Sequence, residues 1–181
     1  MGFFAVALLM QGMAVYERRS RIPAPLSDVW EFHSKIEGLT AVTPSWMRLR
    51  VESVRGPDGE PDPAVLEAGS AVSLSMRPFG VGPRQRWTSR IVERERTDRA
   101  AWFVDEMVEG PFPRWRHTHR FHVAGDGTVV TDRIEYRLPV VPGPLSAIAW
   151  PGFEAMFAYR QRRTGELLGD GATEIPVEGR P

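Results

Sequence analysis

The chain has 181 residues, 42% hydrophobic and 25% charged, which is enough for one domain with a real core. Its 23 basic residues balance 23 acidic ones, so the charge calls neither for nucleic acid nor for an anionic membrane surface. The absence of cysteine excludes disulfides, thiolate metal sites and a cysteine nucleophile, and fits a reducing cytoplasm, the compartment expected here.

Lys35 is the only lysine, so nearly all positive charge is arginine, which keeps its charge and forks onto carboxylates. The apolar run 3–10 is shorter than the roughly 20 residues a bilayer span needs. It also lacks the basic flank of a signal peptide. Residues 1–12 are therefore expected to be an extension, a mispredicted start with Met13 as initiator. Residues 13–169 are expected to form one domain, and 170–181 a disordered tail.

In chain order, "AVYERRSRI" (14–22) alternates weakly and predicts a first strand. "PAPLSDVWEFHS" (23–34) predicts a short helix, with Pro25 at its opening, Ser27 as cap and Trp30 and Phe32 near its apolar side. "KIEGLTAVTPSW" (35–46) predicts a second short helix stopped by Pro44. "MRLRVESV" (47–54) alternates, with Met47, Leu49 and Val51 on one face. Residues 55–63 read as a loop, and 70–76 as a strand with Val72, Leu74 and Met76 inward. "RQRWTSRIVERE" (84–95) puts Trp87, Ser89 and Ile91 inside, and Arg86, Thr88, Arg90 and Arg94 outside. "AAWFVDEMV" (100–108) is apolar on both faces, so its neighbours must set its facing. "WRHTHRFHV" and "TVVTDRIEYRL" are the last two strands of the meander, joined by the hairpin turn "AGDG". A long helix over 151–168 follows, with Phe153, Met156, Phe157, Arg160, Thr164 and Leu167 at helical spacing. The class is α+β: a curved antiparallel sheet of about six to seven strands around a long C-terminal helix, with two short helices after the first strand.

The two histidines of "WRHTHRF" carry the chemistry. The even positions Arg116, Thr118, Arg120 and His122 belong in water, so Trp115, His117, His119 and Phe121 point inward. On the next strand the inner set is Val130, Asp132, Ile134, Tyr136 and Leu138. Pairing Val123 with Thr128 across the hairpin sets His119 opposite Asp132. Pairing across "EGPFPR" sets Asp105 opposite His117, with Phe103 and Met107 beside it, and opposed side chains lie about 5 Å apart at Cβ. Two inward pairs are expected, Asp105–His117 and His119–Asp132, with Tyr136, Trp87 and Trp115 near. A slip of one residue would undo the arrangement.

The order of elements, with "IPAPLSDVWEF" near the start and "FEAMFAYRQRRTGELL" near the end, resembles the START/SRPBCC superfamily. "FVDEMVEGPFPRWRHTHRF" followed by "DRIEYRLP" is similar to a ligand-binding, polyketide cyclase/dehydrase-like subgroup of it. The resemblance covers about residues 14–168. It implies a helix-grip fold with an apolar internal cavity and no fixed catalytic residues.

Three readings of the Asp–His set stay open. It is a buried polar network that fixes the sheet. Or it is the polar patch of a cavity wall that orients a small, largely hydrophobic ligand, or acts on it as a cyclase or dehydratase with His117, His119, Asp105 and Asp132 as acid and base. The remaining walls would then be Trp87, Phe103, Met107, Trp115, Phe121, Ile134, Tyr136, Phe153 and Phe157. Or it holds a metal, for which the donor types suit but each imidazole already has a carboxylate to hold. Neither metal nor cofactor is expected. The partner expected is a small hydrophobic molecule, with no nucleic acid and no membrane insertion, and the oligomeric state is left open.

Two loops and two charged stretches complete the reading. "EGPFPRW" is a rim loop, read as packed on the C-terminal helix in preference to a lid. "FGVGP" (79–83) lacks the lysine and length of a phosphate loop. The face bearing Arg86, Arg90, Arg116, Arg120, Arg133 and Arg137 is read as solvated, with a protein-interaction module as the alternative. "RQRR" (160–163) is read as the solvated side of its helix.

Overall fold

A computed structural model describes residues 13–137 and 145–177, the stretch 145–151 by its helical backbone alone. The extension 1–12, Leu138 and residues 178–181 lie outside the described residues.

The first strand, β1 (Ala14–Ile22), turns Tyr16, Arg18, Ser20 and Ile22 to the interior. Helix α1 (Leu26–His33) buries Leu26, Val29 and Trp30. Its N-cap is Pro25, whose extended ψ sets the entry and whose carbonyl accepts from the amides of Asp28 and Val29. Ser27, expected as the cap, bonds the Asp28 carboxylate instead. Helix α2 (Ile36–Ala41) is shorter than its sequence suggested, because Pro44 starts a separate 3-10 turn at Ser45–Met47. Gly38 lets α2 approach α1: a Cβ there would stand 1.9 Å from the Phe32 carbonyl oxygen. Met47 thus lies in that turn, and Arg48 takes a left-handed φ of 47°. Strand β2 (Arg50–Arg55) therefore begins three residues after Met47, yet Met47, Leu49 and Val51 face inward and Arg48, Arg50 and Glu52 outward as expected; a bulge between Val51 and Ser53 follows.

Strands β3 (Ala71–Met76), β4 (Gln85–Arg96), β5 (Ala100–Glu109), β6 (Arg114–Ala124) and β7 (Gly127–Arg137) form an antiparallel meander. In β4, Ile91 pairs with Asp105 and Glu93 with Val104, which leaves Val92 as an extra residue. That bulge reverses the alternation, so Arg94, expected outside, turns in. Its guanidinium lies 4.3 Å over the Trp30 ring and donates to Ser34 Oγ at 2.8 Å and to the Leu66 carbonyl at 2.9 Å. A shared α1, β4 and loop contact follows from one inserted residue.

Helix α3 (Leu145–Leu168) packs on the inner side of β1, and β8 (Thr173–Ile175) pairs with the outer edge of β1. The sheet is a curved, open, antiparallel one of eight strands in the order β2-β3-β4-β5-β6-β7-β1-β8, slightly more than the six to seven expected. The helix-grip architecture read from the sequence is present. The extra strand corrects the expectation of a disordered tail for its described part. Gly169 and Gly171 amides both bond the Gly165 carbonyl, and Gly171 has φ +112°, so the chain folds back onto β1.

Among the described residues the inner side holds three apolar clusters. One joins Ile22, α1, Ala101, Phe121 and Val130. A second joins Tyr16, Ile134, Tyr136, Phe153 and Phe157. A third joins Val54, Leu66, Val72, Leu74 and Ile91.

Candidate functional site

Strand period places four chemistry-bearing side chains on one patch of the inner face. The register pairs Asp105 with His117 and His119 with Asp132, and Val123 meets Thr128 across the Gly125–Asp126 turn, as the spacing predicted. The side chains go further than two separate pairs. His117 Nε2 lies 3.0 Å and His119 Nδ1 3.1 Å from the same Asp132 Oδ1. His119 Nε2 lies 3.1 Å and His117 Nδ1 3.7 Å from the same Asp105 Oδ2. Each carboxylate thus faces both rings, whose centroids are 3.7 Å apart. The cluster is one closed unit, because alternate residues of a strand lie close enough for imidazoles to lean across the register.

Its rim is fixed from outside. Ser89 Oγ donates to Asp105 Oδ1 at 2.6 Å. From α3, Gln161 Nε2 donates to Asp132 Oδ2 at 2.7 Å and to the Arg18 carbonyl, while its Oε1 accepts from Ser20 Oγ at 2.6 Å. Gln161 is 2% exposed and lies in the stretch read as the solvated side of the helix. Arg160 also turns inward, its guanidinium 5.4 Å from the Phe157 ring and within electrostatic reach of Asp132 and Asp105. No sequence signal marked Gln161. Its spacing of four from Phe157 was the available clue.

Burial raises the Asp105 carboxyl, but the His119 bond, the charges of both imidazoles and the Ser89 bond hold it below the usual value. Asp132 is held well below it by the same contest, in which bonds to His117 and His119 outweigh burial. Burial and the charge on His119 push His117 down, over the opposing Asp132 and Asp105. Burial acts against His119 too, but its bonds to both carboxylates prevail and raise it.

Residues 22–162 match the sequence model of a family described as "Polyketide cyclase / dehydrase and lipid transport". The chain belongs to this polyketide cyclase/dehydrase and lipid transport family. The START/SRPBCC resemblance read from the sequence is thereby borne out. No curated protein matches the chain in sequence. Among solved structures, norcoclaurine synthase from Thalictrum flavum in complex with dopamine and hydroxybenzaldehyde is similar with a TM-score of 0.59 at 17% identity, over 90% of this chain and 90% of that one. A START superfamily protein from Mycobacterium smegmatis gives 0.55 at 13% identity, over 87% and 97% of the two chains. A nucleoside-diphosphate sugar epimerase from Corynebacterium glutamicum gives 0.56 at 21% identity over 83% of this chain, which spans 28% of that protein's length.

Within this member of the cyclase/dehydrase and lipid transport family, the expected lining residues divide by exposure. Phe121, Ile134 and Phe157 have no accessible surface and serve the first two clusters. Tyr136 and Phe153 are buried among Phe112, Trp115 and each other. Trp87, Phe103, Met107 and Trp115 are only half-buried. Phe103 stacks on His119 at 4.1 Å, and Trp115 meets His117 edge-on. The rim loop packs as expected: Phe112 touches Phe153 of α3. On the outer face a hollow of about 440 Å³ includes Glu93, Trp102, Arg116 and Arg133. Two of its arginines are engaged, Arg116 with Glu93 and Glu106, Arg133 with Glu17 and Glu135. That is the solvated, cross-strand pattern expected of this face.

Proposed function

We propose that this protein binds a small, largely hydrophobic molecule on the inner side of the sheet, with the polar end of that molecule at the Asp105–His117–His119–Asp132 cluster, and does so in the cytoplasm. One observation carries the reading. Trp87, Phe103, Met107 and Trp115 lie on strands whose inner face is the interior yet stay half-buried, with Trp87, Phe103 and Trp115 at the margins of the apolar clusters. Large apolar side chains in a finished core reach near-complete burial, because each uncovered Å² of apolar surface costs roughly 25 cal/mol. A row of them left partly uncovered beside a polar cluster has the composition of a ligand wall: mostly apolar, with few polar anchors. The family description, which includes lipid transport, supports the same reading, as does the norcoclaurine synthase structure, which holds two small aromatic molecules in this fold. Among the described residues no helix is long and apolar enough to cross a membrane.

The test uses 1-anilinonaphthalene-8-sulfonate as a probe, with native mass spectrometry of gently purified protein for retained molecules. The expected result is saturable dye binding at one site, abolished by Met107→Trp, which adds bulk within the half-buried row, and only weakened by His117→Leu, which removes a polar anchor. Dye binding that is absent, or that survives Met107→Trp unchanged, sinks the proposal.

A further inference from the structure

The closed Asp–His cluster holds a set of donor atoms with the types and spacing of a metal site. Both histidines turn one nitrogen to a single oxygen of Asp132, His117 through Nε2 and His119 through Nδ1. If these N–H groups donate there, the remaining nitrogens, His117 Nδ1 and His119 Nε2, present lone pairs. Those two nitrogens converge on Asp105 Oδ2, an acceptor as well, at 3.7 Å and 3.1 Å. With both imidazoles neutral these acceptors face one another, and either a proton on His119 Nε2, donated to Asp105 Oδ2, or a cation between them relieves the repulsion. In a tetrahedral zinc site with bonds of roughly 2.0–2.1 Å, neighbouring ligand atoms stand about 3.3–3.4 Å apart. The separations of 3.1 Å and 3.7 Å bracket that edge, and the donor atoms of Asp105, His117 and His119 all lie within 4.8 Å of one another.

We propose that Asp105 Oδ2, His117 Nδ1 and His119 Nε2 bind a divalent transition-metal ion of the zinc class, with Asp132 as the carboxylate that orients both imidazoles. The outer contacts are those a metal site requires. A ligating imidazole donates its other N–H to a carboxylate or carbonyl, which fixes the tautomer and the ring plane. Asp132 does this for both rings at once and is itself held by Gln161 at 2.7 Å. Asp105 is held by Ser89 on the oxygen that the ion does not use. Asp105 and Asp132 together balance the charge of a divalent ion. Three protein ligands of nitrogen and oxygen type leave a fourth position, the pattern of zinc sites that bind water or a substrate oxygen, whereas structural sites close with four. A carbonyl, phenolate or carboxylate oxygen is the ligand class such a position takes. The sequence alone argued against a metal because each histidine had its own aspartate. The structure weakens that objection, since Asp132 reaches both rings and can orient them while Asp105 faces their other nitrogens.

The experiment uses untagged full-length protein, stripped with a chelator and titrated with Zn²⁺ and Co²⁺. We expect one equivalent of Zn²⁺ by elemental analysis, a rise in Tm on adding it, and an intense Co²⁺ visible spectrum of tetrahedral type. Asp105→Asn, His117→Gln and His119→Gln each lose stoichiometric binding, while His122→Gln, outward on the same strand, keeps it. Asp132→Asn keeps one equivalent but binds 10- to 100-fold more weakly. Less than a tenth of an equivalent bound to the wild type at micromolar Zn²⁺, with no cobalt spectrum and no Tm shift, overturns the site, and this arm needs no variant to fold. Binding retained by His117→Gln and His119→Gln together overturns it equally. Neither arm measures dye binding, so the failure of the metal site and the failure of the hydrophobic-ligand reading are separate results.

Discussion

His33 shows how one residue can couple this interior to pH. It ends α1, and its Nδ1–H donates to the Val29 carbonyl at 2.8 Å while its ring packs 5.0 Å from that of Phe121. Burial, aided by the charges of His119 and Arg160, pushes its pKa down to about 4, against the Val29 bond and Asp132, which pull it up. The folded protein therefore keeps His33 neutral where the unfolded chain, with an ordinary pKa near 6.5, takes up a proton. Between those values the unfolded state binds more protons, so stability falls as pH falls from about 6.5 to 4. With the ring partly open to solvent, this group accounts for a loss on the order of 2 kcal/mol across that window. Urea denaturation of wild type and His33→Phe at pH 7, 5.5 and 4 checks this. The variant should lose less stability than wild type on acidification by about that amount. Parallel pH profiles for the two proteins would show that His33 takes up its proton in the fold as readily as in the unfolded chain. At this scale the sequence is a poor guide: four histidines are visible in it, but their separation into an outward His122, a buried pair and a neutral helix terminus depends on what packs above them.

At the scale of elements, the readable parts are those governed by strict period and a tight turn. A Gly125–Asp126 turn with Gly125 at φ +64° pins the β6–β7 register, and with it His119 opposite Asp132. Wherever the chain inserts a residue the period fails. Val92 reverses Arg94, and the bulge between Val51 and Ser53 puts Val54 inside after the regular alternation of residues 47–52. Leu167, placed by spacing on the helix face of α3, is 41% exposed, whereas Leu168 packs on the first cluster. β8 escaped the sequence altogether, because three residues carry no periodic signal and because its cause is a close approach. A Cβ on Gly165 would stand 2.4 Å from the Gly171 carbonyl carbon and 2.5 Å from the Ala172 nitrogen. Backbone at that distance cannot step aside as a flexible side chain can. Gly165→Ala, favourable for a helix by roughly 1 kcal/mol on propensity alone, should therefore push the returning segment off β1. Hydrogen exchange at the backbone amides of β8 reads the change: protection lost there, with β6 and β7 still protected. Unchanged protection of β8 would mean that α3 absorbs the added methyl by shifting as a whole.

The whole molecule carries a conflict between chain order and sheet order. Strands β4 to β7 follow one another through short connections and pair with their sequence neighbours. β1 is made first but sits between β7 and β8, with Ile22 opposite Thr128 and Ala14 opposite Tyr136. Closing so long a loop costs entropy before any contact repays it, so the local meander is favoured early and β1 is favoured late. The same late step completes the Asp–His cluster, since Gln161 joins Asp132 only when α3 lies on β1 through Ser20 and the Arg18 carbonyl. Two substitutions of identical chemistry separate the stages. Ile91→Val lies in β4, at 6% exposure, and Ile22→Val in β1, at 0%. Each removes one buried methyl and should cost about 1 kcal/mol. In stopped-flow chevrons Ile91→Val should slow folding, whereas Ile22→Val should leave the folding rate nearly unchanged and speed unfolding by about fivefold, the full effect of that loss. If Ile22→Val slows folding as much as Ile91→Val, β1 belongs to the nucleus, and the sheet closes around its two chain ends before the histidine-bearing hairpins have formed.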